Sequence, residues 1–229
     1  MSHTQPTLRH LVFTVVLLLA TIIAVTIVRA QPALASQCGS PNYYAYGHDN
    51  TSDRYGIEGN IQSYNHLNSG YTNENFTDQA GHVYLVSGKG LEVGWFEGWG
   101  NQIQAYVNDA HAYSTANGPR EVDGPEVDNA NDYYRAYWGA SGNERYNVAN
   151  SSGDTIFEGN IGTDGYTGPG DSYAVGEVAQ NGTVMDGYFE NLEHQFGKNG
   201  PWYDWPGMTT CADPGYTAVS PAGNIFSDY

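Results

Sequence analysis

The chain has 229 residues and carries 25 acidic against 8 basic side chains, a net charge of −17 with neutral histidines, so phosphate backbones and anionic membranes are poor partners for it. Only 14% of the residues are charged, while 29 are glycine and 19 are tyrosine, and the apolar stretches are short and alternating. With Asn, Ser and Thr abundant in between, this composition reads as an all-β sandwich or barrel.

Residues 1–35 concern delivery. A short head with Arg9 precedes an unbroken apolar run over 11–28, and Ala33-Leu34-Ala35 is a small-residue cleavage pattern, so a signal peptide cut before Ser36 is expected. The run borders on the length of a membrane span, and an uncleaved anchor through 11–28 is the alternative. Gln37 before Cys38 is not the small residue a lipoprotein needs. Arg9 and Arg29 leave with the segment while every acidic residue stays, so the mature chain is more acidic still. Residues 36–229 then make one domain with length enough for a real core, secreted, monomeric and free of the membrane after cleavage. The two cysteines, Cys38 and Cys211, stand at opposite ends of that domain in a compartment that favours oxidation, and one bridge between them is the natural reading.

Period-two alternation bounded by turn residues predicts strands over 56–63, 82–87, 91–97, 103–107, 133–138, 145–149, 155–161 and 172–179. Residues 116–132 hold Pro119, Pro125 and five acidic residues without periodicity, and read as a long solvated loop. Met185, Tyr188, Phe189, Leu192 and Phe196 recur at helical spacing, with Gly197 as a stop, and predict one short helix over 184–196. The expected fold is an antiparallel two-sheet β-sandwich of jelly-roll or concanavalin-like type with that helix packed against it. Ile57-Glu58-Gly59-Asn60-Ile61 returns as Phe157-Glu158-Gly159-Asn160-Ile161, an echo that chance explains better than duplication in a chain so rich in Gly and Asn.

Several chemistries lack their motifs. There is no Gly-x-Ser-x-Gly elbow, no His-Glu-x-x-His, no phosphate-binding Gly-x-x-x-x-Gly-Lys and no Asp-Thr/Ser-Gly. His48, His66, His82, His111 and His194 are scattered singly, and Asp123, Glu126, Asp128 and Asp132 lack the spacing of a calcium loop; no metal or other cofactor is expected. Carboxylate chemistry remains, in which one carboxyl takes a proton from water and another donates to the leaving group. Glu92 in Leu91-Glu92-Val93-Gly94-Trp95-Phe96 and Glu177 in Tyr173-Ala174-Val175-Gly176-Glu177-Val178 are glutamates set into apolar strands, and they are the expected pair.

Leu91-Glu92-Val93-Gly94-Trp95 resembles the Ile-Glu-Ala-Gly-Trp strand of the neprosin family of glutamic peptidases. Tyr133-Tyr134-Arg135-Ala136-Tyr137-Trp138 is similar to that family's aromatic strand, and Gly187-Tyr188-Phe189-Glu190-Asn191-Leu192 to the helix before its final strands. The resemblance implies a secreted β-sandwich endopeptidase that cleaves polypeptides at acidic pH, with Glu92 as the first catalytic glutamate. The family's second glutamate, in a Gly-Gly-Glu setting, has no counterpart in Trp202-Tyr203-Asp204-Trp205-Pro206-Gly207-Met208, which leaves Glu177, or else Asp204, as its partner. A carbohydrate-binding module acting on polysaccharide, with Trp95, Trp99, Trp202 and Trp205 as stacking platforms, is the competing reading, and a glycoside hydrolase is the third.

Overall fold

The computed structural model describes residues 38, 43–64, 77–85, 90–97, 103–109, 120–127, 129–139, 144–162, 169–179 and 183–229, all within the compact unit Ser36–Tyr229. In chain order the strands are β1 (Tyr43–Gln62), β2 (Thr77–Leu85), β3 (Gly90–Glu97), β4 (Ile103–Asp109), β5 (Arg120–Glu126), β6 (Asn131–Trp138), β7 (Glu144–Ala149), β8 (Thr155–Gly162), β9 (Gly170–Val178), β10 (Gly187–Phe196), β11 (Trp202–Asp204), β12 (Thr209–Ala212), β13 (Ala218–Ala222) and β14 (Ile225–Asp228). Every pairing between them is antiparallel.

β1 belongs to two sheets. Its first half pairs with β9 and β12, and a register break between Asp49 and Arg54 delivers its second half to β6 and β10. The first sheet therefore runs β12-β1-β9-β2-β3-β4-β5, and the second runs β14-β10-β1-β6-β7-β8, with β13 beyond β14 and β11 beside the far end of β10. At the break, Asp49 Oδ2 accepts from Arg54 Nε at 3.0 Å and lies 3.0 Å from His194 Nδ1, and all three side chains are buried. Alternation is clean where one face meets the core: along β6 the even positions Tyr134, Ala136 and Trp138 are buried and the odd ones only half so. Trp95, Trp138, Trp205, Tyr134, Phe189 and Phe226 fill the space between the sheets.

The ends of the domain are joined as expected. Cys38 and Cys211 form the disulfide, with Cα atoms 5.9 Å apart, and buried Asp213 accepts from the N–H groups of Cys38 and Tyr44 at 3.0 and 2.9 Å. Residues 120–126, expected in a solvated loop, are instead β5, the edge of the first sheet. Pro125 and the acidic residues sit there because an edge strand has one unpaired side, which charges and a missing N–H protect from further pairing.

The helix expected over 184–196 is a strand, β10. Asn191 lies in the left-handed region, at φ 55°, opposite the register shift between Glu58 and Asn60 in β1. The extra residue of this bulge places Phe189 and Leu192, three apart, on the same inward face. Three-residue spacing thus imitates a helix within a strand, and Gly197, at φ 78°, opens a hairpin rather than ending a helix. Replacing Asn191 with glycine is expected to leave the melting temperature near that of the wild type, while a β-branched valine, which resists positive φ, should cost about 1–3 kcal/mol in denaturant unfolding.

Asp228 is buried beside Gln79, where Gly176 and Gly187 leave room: a Cβ on either glycine would fall within 2.1 Å of an oxygen of that pair. Loss of hydration pushes the Asp228 carboxyl from 3.8 up to about 8. The folded protein then keeps a proton that the unfolded chain gives up, so this group lowers stability as pH rises from about 4 through about 8. Asp228→Asn is expected to raise the melting temperature at pH 9 relative to the wild type and to leave it unchanged at pH 3.

Candidate active site

In β3 the odd residues Leu91, Val93 and Trp95 point into the core, so Glu92, Gly94 and Phe96 face outward from the first sheet. Register extends this face across six strands. One row reads Glu121, Asn108, Glu92, His82, Tyr173 and His48 from β5 to β1, and the next reads Tyr106, Gly94, Ala80, Val175 and Tyr46. The middle of the second row is built of small side chains. A Cβ at Gly94 would come within 2.0 Å of the Gln79 carbonyl oxygen, so close approach of the β2 backbone requires glycine there. Although they are on the outer face, Ala80 and Val175 are only 0% and 4% exposed. Gly94, Ala80 and Val175 thus form a strip of small side chains between the row of Glu92 and the row of Phe96 and Glu177.

Glu92 is the chemically distinctive group on this face. Asn108 Nδ2 donates to its Oε1 at 2.9 Å, and the Tyr106 hydroxyl is a second donor. Burial outweighs both bonds and pushes the carboxyl from 4.5 up to about 7, which allows it to take and to give a proton near neutrality. Farther along the row the Tyr173 ring is stacked on His48, centroids 4.2 Å apart and planes 6° from parallel, and His48 Nε2 lies 3.9 Å from Asp171 Oδ2. Burial, then Asp171 and Tyr46, raises the Tyr173 phenol above its ordinary value and keeps it a hydrogen-bond donor.

The expected partners of Glu92 stand elsewhere. Glu177 shares the face but belongs to the row of Asp78 and Phe96, two strands away and four residues along. At ~3.3 Å per residue that is about 13 Å in the strand direction alone, beyond the roughly 5–9 Å of paired-carboxylate hydrolases. Asp204 is on β11 opposite Glu193, in the second sheet. Trp95 and Trp205 are core residues, 0% and 2% exposed, and offer no surface for a ligand; Trp99 lies outside the described residues. Trp202 alone of the described candidates is at the surface, on the second sheet. Sequence reading passed over Asn108, Tyr106 and Tyr173, because only strand register sets them beside Glu92 or in its row.

No family model matches the sequence, and neither does any curated protein. Solved structures do. Scytalido-glutamic peptidase with a peptide-based transition-state analogue matches with a TM-score of 0.57 at 8% identity, over 81% of this chain and 97% of that one. The same peptidase with a transition-state analogue inhibitor gives 0.55 at 9%, over 82% and 98%. SCP-B, a member of the eqolisin family of peptidases, in complex with the tripeptide Ala-Ile-His, gives 0.53 at 7%, over 81% and 97%. The chain thus has the fold of glutamic peptidases, and the likeness contains nothing specific to neprosins.

The raised carboxyl also has a thermodynamic signature. Because the folded pKa of Glu92 exceeds the unfolded one, the protein loses stability as pH rises from about 4.5 through about 7. Glu92→Gln is expected to melt at the wild-type temperature at pH 4 and above it at pH 8, by the equivalent of roughly 1–3 kcal/mol. Equal melting at both pH values would show that Glu92 is as well hydrated as in the unfolded chain.

Proposed function

We propose that this chain is an exported endopeptidase of the glutamic type, neprosin-like in its Glu-Val-Gly-Trp strand, with Glu92 as the proton-transferring carboxyl. The observation that carries the reading is a carboxyl pushed to about 7 on the outer face of the first sheet, on a fold that it shares with solved peptidases holding a peptide-based analogue and a tripeptide.

A single carboxyl near neutrality can act twice. As carboxylate, Glu92 takes a proton from a water whose oxygen bonds to the scissile carbonyl carbon; as carboxylic acid, it returns that proton to the nitrogen as the C–N bond breaks. Asn108 and Tyr106 hold one orientation of the carboxyl through both steps. The Tyr173 hydroxyl, kept protonated and positioned by His48, is placed to donate to the oxyanion of the tetrahedral intermediate. The acid-side rate maximum expected of two carboxyls poised apart does not follow from this arrangement, in which Glu177 is out of reach and the first step needs Glu92 ionised.

Cleavage of a reduced, alkylated protein substrate is therefore expected to show kcat/KM rising with pH through about 7, with about a tenfold change per unit on the acid side. Glu92→Gln should abolish turnover, Tyr173→Phe should lower kcat by about 10- to 100-fold with little change in KM, and Glu177→Gln should retain the wild-type rate. Undiminished cleavage by the Glu92 variant, or none by the wild type from about pH 3 to 8, a span that brackets ordinary and raised carboxyl pKa values, would overturn the assignment.

A further inference from the structure

The outer face of the second sheet is a separate polar surface that the peptidase reading leaves unused. Register sets Trp202, Gln195, Gly56, Tyr137, Arg145 and Asn160 in one row from β11 to β8, and Asp204, Glu193, Glu58, Arg135, Asn147 and Glu158 in the next. The echoed segments of the sequence supply Glu58 near the middle of the second row and Glu158 at its end. Between β6 and β8 the two rows enclose an open basin of 520 Å³ lined by Arg135, Tyr137, Arg145, Asn147, Glu158 and Asn160.

The aromatic side of this surface is built rather than incidental. Gly56 lacks a side chain, and a Cβ there would come within 2.8 Å of the Trp202 ring, which lies over it edge-to-face with Tyr137 at 6.4 Å. The Arg135 guanidinium sits 5.0 Å from the Trp202 ring and 5.3 Å from that of Tyr133, and its Nε donates to Glu58, which also accepts from the Tyr133 hydroxyl at 2.6 Å. These contacts set the Trp202 and Tyr133 rings about Arg135, which lines the basin. Arg145 is different: it is exposed and makes no ion pair among the described residues, in a chain with three times as many acidic as basic side chains.

We propose that this face binds a glycan chain bearing uronate carboxylates, with sugar rings against Trp202 and Tyr137, the amides of Asn147 and Asn160 on hydroxyls, and Arg145 on a carboxylate. Flat rings beside planar amides and a guanidinium match the apolar faces, hydroxyl pairs and carboxylates of such sugars. This site is independent of Glu92, and its test does not involve proteolysis.

The probes are hexagalacturonate and neutral cellohexaose, titrated into the purified protein by calorimetry. Saturable binding of hexagalacturonate is expected, weakening with salt and falling about tenfold or more in Arg145→Ala, as loss of a charge-assisted bidentate contact implies. Tyr137→Ala should weaken the same probe, and Arg145→Glu should eliminate binding while leaving the melting temperature of this exposed position unchanged. Cellohexaose should bind more weakly than hexagalacturonate and respond to Tyr137→Ala but not to Arg145→Ala. No saturable binding of hexagalacturonate, binding indifferent to both substitutions, or Arg145-dependent binding of a hexa-aspartate peptide in preference to hexagalacturonate would overturn the proposal.

Discussion

The crossing of β1 from one sheet to the other is the constraint on which the rest of the molecule depends. A strand of 20 residues would extend about 66 Å if straight, far more than one sheet can use. The register break between Asp49 and Arg54 divides it, and the buried Asp49 carboxylate holds Arg54 on one side of the break and His194 of β10 on the other. The Asp49–Arg54 ion pair is buried, so removal of either residue leaves the other charge uncompensated. The arrangement fixes how the two sheets face each other, and with that the position of β9, β2 and β3 behind the Glu92 row and of β6 and β7 beneath the second polar face.

The two outer faces then diverge for reasons of side-chain size and charge. On the first sheet Gly94, Ala80 and Val175 make a strip of small side chains between larger neighbours, and the glutamate beside it loses hydration. Its pKa rises because desolvation exceeds what two hydrogen bonds return. On the second sheet the glutamate of the echoed motif, Glu58, has Arg135 and Tyr133 as donors, so its charge is matched where it stands. The same residue type in the same kind of strand thus has its carboxyl raised in one sheet and paired with an arginine in the other.

Much of the framework was legible in the residues. Alternation and turn chemistry located β3, β4, β6, β7, β8 and β9 within a few positions but only the second half of β1, the two cysteines at the domain ends implied their bridge, and the Leu91–Trp95 element drew attention to Glu92. Three features were misread for identifiable reasons. Asn191 inserts a bulge that turns a two-residue period into a three-residue one, so β10 looked helical. The acidic residues and Pro125 of β5 are what an edge strand carries, and they hide strand character from a propensity reading. Trp95 and Trp205 are large rings that the core needed, and composition alone does not separate those from rings at the surface.

What the sequence by itself determined is therefore local: where clean alternation marks a strand, which thiols pair, and which glutamate is out of keeping with its strand. What only the tertiary structure decided is which residues stand beside one another across strands. Glu177 and Glu92 look equivalent along the chain, yet register separates them by two strands and four residues, and it sets Asn108, from β4, against the Glu92 carboxyl. Register follows from the sum of side-chain packing over both sheets together with the crossing of β1, and that sum is a property of the folded chain and not of any segment in it.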